Sequence, residues 1–284
     1  MSIDHIIKAK DILYKDIIKE LSDQSSKKFD NNTKTLEQLD YWKDNELQDI
    51  VKTRYNPKDQ TTYLTKNEVV NLMDWKLSKG KFRPQLPKLI RSNSEKDVEQ
   101  FTKDGFRIFL QYSQSLPKDF TWIKASIEDR EEYSKVLKSS MKELCKLKGV
   151  GPATASLLLT CLFKINEKIT PPFFSDEAFM YYVIDPSRPN TSIKYNVKEY
   201  LEEYIPILLK ILREAETPVK FIDLEKGGWA LKYYSLHDDD ILISITNPFG
   251  EDEKDWDKLK VKFEDEEKEI TKDTKPLKKK RKTK

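Results

Sequence analysis

Histidine and cysteine are nearly absent from this chain, two of each in 284 residues. Cys145 and Cys161 make no C-x-x-C pair, so a zinc site, an iron–sulfur cluster or a disulfide framework has almost nothing to be built from. No metal and no other cofactor is expected. Long apolar runs are missing too. Nothing approaches the roughly eighteen residues of a membrane span, and the opening MSIDHIIKAKDILYKDIIKEL mixes acids and bases on an amphipathic helical pattern, unlike the bare apolar stretch of a signal peptide. A soluble intracellular protein without a membrane partner is the expectation. Also absent are a P-loop, a dinucleotide fingerprint and a nucleophile elbow. Glycine is scarce, seven in all, yet two fall within three residues of each other at Gly149 and Gly151.

What is present is charge, and it is unevenly placed. Hydrophobic residues make up 37% and charged residues 36%, enough for a sizeable core with charge left for tails and polar loops. Residues 270–284 carry eight Lys or Arg against one Asp, and residues 251–269 carry ten acids against five lysines. Of the net +3 the tail therefore carries +2, and residues 1–250, at +1, are close to neutral. A segment with that composition and no apolar periodicity does not offset its ordering entropy, so 251–284 is expected to be a disordered acidic-then-basic tail. Within it Lys278, Lys279, Lys280, Arg281 and Lys282 match a single-cluster nuclear localisation signal, which implies a nuclear import receptor as partner and the nucleus as location. A solubilising or loosely polyanion-binding tail has the same composition.

The body reads as one all-α domain over 1–250. Apolar residues at helical spacing predict helices over 3–21, 36–52, 95–112, 128–146, 152–164, 175–184, 196–215 and 222–236. Thr65 followed by Glu68 is a capping box, opening a helix that stops at Gly80. The single strand-like run, 241–245, has no partner and is expected as an extended connector. His237 with Asp238, Asp239 and Asp240 could hold a hard cation, but three adjacent carboxylates without a glycine-shaped loop are ordinarily solvated.

Two stretches carry a functional signal. In LKGVGPATASLLLTC, residues 147–161, Gly149, Val150, Gly151 and Pro152 join two apolar helical patterns. Both glycines permit positive φ and leave the backbone bare, Val150 can plug the interhelical space, and Pro152 suits the first helical position. The unpaired N–H groups there, with the helix dipole, suit a phosphate oxygen; a ligand-free interhelical corner uses the same residues. Upstream, KLSKGKFRPQLPKLIR at 76–91 holds Lys76, Lys79, Lys81, Arg83, Lys88 and Arg91 without an acid. It reads as a surface loop able to neutralise phosphates, or as a solvated loop with Phe82 and Leu86 packed inward.

At Leu147, Gly149, Val150, Gly151, Thr154 and Ala155 the chain resembles the helix-hairpin-helix motif of the HhH-GPD superfamily of DNA base-excision glycosylases. The longer set LMDWKLSKGKFRPQL, LKGVGPATAS and PFFSDEA is similar to poorly characterised eukaryotic members. The resemblance is specific over roughly 130–185 and implies a multi-helix glycosylase-like fold binding double-stranded DNA through Gly149, Val150, Gly151, Ala153 and Thr154; Lys79, Lys81 and Arg83 of the basic stretch are the further candidate phosphate contacts. It implies a catalytic carboxylate at Asp176, which lies 25 residues after Gly151, a longer interval than in the commonest members. A carboxylate there would stabilise the oxocarbenium-like sugar formed when an N-glycosidic bond breaks. Phe173, Phe174, Tyr181 and Tyr182 flank it and could wall a base pocket, or equally be core. The family's strand-cutting lysine falls at Ala153, so a Schiff-base step by that route is not expected. Ser-Asp-Glu-Ala is also how ordinary helices begin, so Asp176 could simply be a cap. The expectation is a nuclear DNA-binding protein, with monofunctional base excision as the specific activity. The alternative is a DNA-binding or interaction adaptor that keeps the fold without catalysis.

Overall fold

Hydroxyl caps start the helices. Thr35, Thr65, Ser94 and Ser126 sit with extended backbone before a helix and accept a hydrogen bond from the N–H three residues on. At Thr35, Thr65 and Ser126 the side chains of Gln38, Glu68 and Asp129 return the bond and close capping boxes. This computed structural model describes residues 3–184, 192–237, 241–246 and 248–249. Among them the chain is helical, with only two isolated bridges, Phe29 with Lys34 and Asn56 with Thr61. No helix among the described residues is long and apolar enough to cross a membrane.

In chain order the helices are α1 Ile3–Lys8, α2 Tyr14–Asp23, α3 Leu36–Tyr41, α4 Leu47–Arg54, α5 Lys66–Lys79, α6 Leu86–Arg91, α7 Glu95–Ser115, α8 Ile127–Leu144, α9 Pro152–Thr160, α10 Asp176–Tyr182, α11 Ile205–Glu214 and α12 Phe221–His237. π-helical stretches at Ala9–Leu13, Trp42–Glu46 and Glu199–Tyr204 join α1 to α2 and α3 to α4, and lead into α11. The all-α expectation is met, with three local corrections. Residues 86–91, expected within a loop, form α6. Residues 241–245 are turns, folded back by the bond from Leu242 N–H to the His237 carbonyl at 3.0 Å. Helix α9 ends at Thr160, after which bonds such as Leu162 N–H to the Leu159 carbonyl tighten the chain into turns. The 251–284 tail with its basic cluster, and Asp238, Asp239 and Asp240, lie outside the described residues.

Helix α9 is buried on every side from Ala153 to Thr160, the signature of a central helix, and it packs against α5 and α8. Helix α12 packs against α1 and α10. Its Gly227 makes room for the Ile6 carbonyl, which a Cβ would meet at 2.3 Å, and Gly228 does the same for the Tyr182 ring at 2.4 Å. Helix α12 thus joins α1 to the end of α10.

Candidate functional site

The two glycines of the 149–151 turn do different work. Gly149 lies at φ +80, a conformation that L side chains rarely adopt, and a Cβ there would meet Leu89 Cβ at 3.0 Å. Gly151 is extended, at φ −105, so only the first glycine needs the left-handed region. A Cβ on Gly151 would point into open space. Val150 is buried between the helices, and Pro152 opens α9. The first helical bond runs from Ala155 N–H to the Gly151 carbonyl at 2.8 Å, which leaves the N–H groups of Ala153 and Thr154 ahead of it. Asn93, just after α6, clamps the turn from behind. Its side chain accepts from Lys148 N–H at 2.9 Å and donates to the Lys148 carbonyl at 3.0 Å.

The long connection to Asp176 is pinned rather than loose. Tyr133 Oη donates to the Ile169 carbonyl, Tyr200 Oη to the Pro172 carbonyl, and Phe174 N–H to Ser156 Oγ on α9. Ser175 occupies the cap position of α10, but its hydroxyl donates to Glu225 Oε1 at 2.8 Å and makes no cap bond. Asp176 is the first helical residue, and its Oδ2 accepts from the Tyr195 hydroxyl at 2.6 Å. An ordinary side-chain cap is therefore not the role of either residue.

The turn and the carboxylate face one cleft of about 230 Å³. Gly149, Gly151, Ala153 and Thr154 form one side, Asp176 and Glu177 another, with Lys76, Lys81, Arg83, Phe173 and Tyr195 completing the walls. Arg83 stacks its guanidinium 5.0 Å from the Tyr195 ring centre, so the basic connection and the Asp176 partner lock together. Lys76 donates from Nζ to Thr154 Oγ1 at 3.2 Å. Burial pulls its ammonium down to about 8, with Arg83 adding to the effect and the Asp176 carboxylate opposing it. Burial, then the neighbouring Asp176, pushes the Glu177 carboxyl up to about 7.

Two groups of expected site residues are buried. Lys79 borders the cleft but is only 3% exposed, its ammonium turned into the interior and away from a phosphate at the rim. Its ammonium sits over Trp229, Tyr14 and Trp75 at 4.1, 4.7 and 4.9 Å and lies 3.7 Å from Glu225 Oε1. The helical phase of α5 turns it inward, although its spacing in the basic stretch looked like that of Lys81. Of the four aromatic candidates only Phe173 lines the cleft. Phe174 stacks on Tyr204, Tyr182 donates to the Leu224 carbonyl, and Tyr181 packs edge-on against Tyr182. All three are core. Phe82, by contrast, is 56% exposed between Lys81 and Arg83.

Tyr195, Glu177 and the inward placement of Lys76 are the site features that sequence reading missed. Lys76 stood within the basic stretch and Glu177 beside Asp176, so both were in view without their burial. Nothing in the local sequence marks Tyr195, which reaches Asp176 from nineteen residues downstream through a φ of +55. Comparisons with protein-family models, with curated proteins and with solved structures each returned no match.

Proposed function

We propose that this chain is a nuclear DNA-binding protein of glycosylase-like fold that hydrolyses N-glycosidic bonds in duplex DNA. The observation that carries the reading is convergence: the bare backbone turn at Gly149–Gly151 and the Asp176 carboxylate open on the same cleft. The amides at the start of α9 suit a phosphate flanking an extruded nucleotide. Lys81 and Arg83 on the rim would add salt-sensitive, sequence-independent affinity. Asp176, held in place by Tyr195, would then face the sugar, where an anion stabilises the positive charge that develops as the base leaves. Phe173 offers one apolar wall for the base. The basic run at 278–282 supports delivery to the nucleus.

The test is binding of the chain to abasic-analogue and undamaged duplexes across a salt series, followed by base release from a panel of damaged duplexes. Asp176→Asn should lower base release by about a hundredfold or more while duplex binding persists. Equal release by wild type and variant would sink the catalytic reading. A second reading, a DNA-binding adaptor without catalysis, is favoured by one observation: the 2.6 Å bond from Tyr195 already engages one Asp176 oxygen. Salt-sensitive duplex binding with no release from any substrate would select it.

A further inference from the structure

Three lysines line the cleft, and their surroundings differ in kind. Lys79 is enclosed by the rings of Trp229, Trp75 and Tyr14 beside Glu225. Lys81 is exposed to water on the rim. Lys76, on the last turn of α5, is half-buried and reaches across to α9, where Nζ meets Thr154 Oγ1 at 3.2 Å. Its partner is a hydroxyl, which accepts from an ammonium and can equally donate to a neutral amine, so the contact survives loss of the proton. Asp176 lies on the facing wall of the same cleft, close enough to act electrostatically on the Lys76 ammonium. An amine that is partly desolvated, held by one neutral partner and close to a second cation, here Arg83, is the arrangement that nucleophilic lysines require; the Asp176 carboxylate opposes loss of the proton but stands in the cleft as a base.

We infer that Lys76 is a nucleophile toward abasic deoxyribose, giving the cleft a strand-cutting activity that does not use the hairpin position occupied by Ala153. The inference rests on the DNA-binding reading above. The ring-opened sugar of an abasic site carries an aldehyde at C1′. The Lys76 lone pair adds to that carbon, an N–H proton passes to the oxygen, and the resulting carbinolamine takes one proton from solvent and loses its oxygen as water to leave an iminium; the final hydrolysis returns that proton. The iminium acidifies C2′–H. The Asp176 carboxylate takes that proton, the C–H electron pair becomes the C2′=C3′ bond, and the C3′–O3′ bond breaks with its electrons leaving on the phosphate. Water then adds to the iminium and returns the Lys76 amine and an unsaturated aldehyde. No oxidant or reductant is consumed, and burial, which pulls Lys76 down to about 8, supplies a neutral fraction near neutral pH.

The experiment is borohydride trapping of the full chain on a duplex with a natural abasic site, alongside binding to a duplex with a tetrahydrofuran analogue that lacks the aldehyde. The expected result is a covalent adduct that maps by peptide mass spectrometry to Lys76. Lys76→Arg, which keeps the charge but is no nucleophile, should reduce it at least about tenfold, with the fold of the variant checked by its thermal midpoint. Mapping on the wild-type chain decides the matter even where the variant unfolds. An adduct on the lysines of 270–284, or one undiminished in Lys76→Arg, overturns the assignment. Binding of the analogue without any adduct overturns Lys76 alone. Absence of binding to either duplex overturns the DNA reading and the inference together.

Discussion

A single methyl group separates the two glycines of the hairpin. At Gly149 it would force a left-handed residue with a side chain against Leu89 and Ile90, and Gly149→Ala should cost about 1–2 kcal/mol in thermal unfolding. At Gly151 the backbone is extended and the space ahead is open, so Gly151→Ala should change stability by less than about 0.5 kcal/mol. On the proposed function the same methyl would stand in the path of the phosphate, so duplex affinity should fall several-fold in a variant that melts like wild type. Glu177 gives a second prediction, one of pH. Its carboxyl holds a proton up to about 7 in the folded state against 4.5 as a free side chain, so folding binds a proton between those values. Stability contributed by the protonated form is present below about 4.5 and is lost as pH rises through 7. Glu177→Gln should therefore melt like wild type at pH 4 and be more stable by about 1 kcal/mol or more at pH 8. A midpoint difference that is independent of pH would contradict this.

At the scale of elements, helix boundaries were legible where chemistry is local. Thr65 and Glu68 announced α5 because both halves of the capping box lie within four residues. Pro152 fixed the start of α9 for the same kind of reason. Helix α6 was not legible: its residues sit among prolines and lysines with little apolar period, and its stability comes from Ile90 packing inward and from Asn93 bridging to the hairpin. Contacts at that sequence distance leave no local mark. Asn93 also makes α6 part of the site. Asn93→Ala removes both bonds to Lys148, should cost about 1–2 kcal/mol, and should weaken duplex binding by loosening the turn. A variant that loses stability but keeps full affinity would show that the turn holds its shape without α6.

Across the whole molecule, the cleft exists because distant segments are held in one arrangement by a buried polar cluster. Lys79 of α5, Glu225 of α12 and the Ser175 hydroxyl meet within an aromatic enclosure, while Asp40 accepts from Tyr14 and Trp75, and Asp44 pairs with Lys43 and Lys226. Removing one partner leaves a buried charge uncompensated. Lys79→Met should lower stability by about 3 kcal/mol, and Glu225→Gln added to it should restore more than half, read from paired denaturation curves. Additive losses would mean that the two residues act independently. None of this was visible along the chain: the basic stretch suggested a surface for Lys79, and only the rotation of α5 against α12 decides that it faces the interior. Asp176 could be singled out from its place after the hairpin, whereas its Tyr195 partner depends on how the chain returns. The burial of α9 has one more consequence. Protein surrounds this helix from Ala153 to Thr160, so water reaches the helix chiefly at its start, beside Gly151. Along most of its length the dipole lies in a medium of low polarizability that screens it little, and an anion arriving at that end would meet a fixed field that dissolved salt weakens less than it weakens the pull of Lys81.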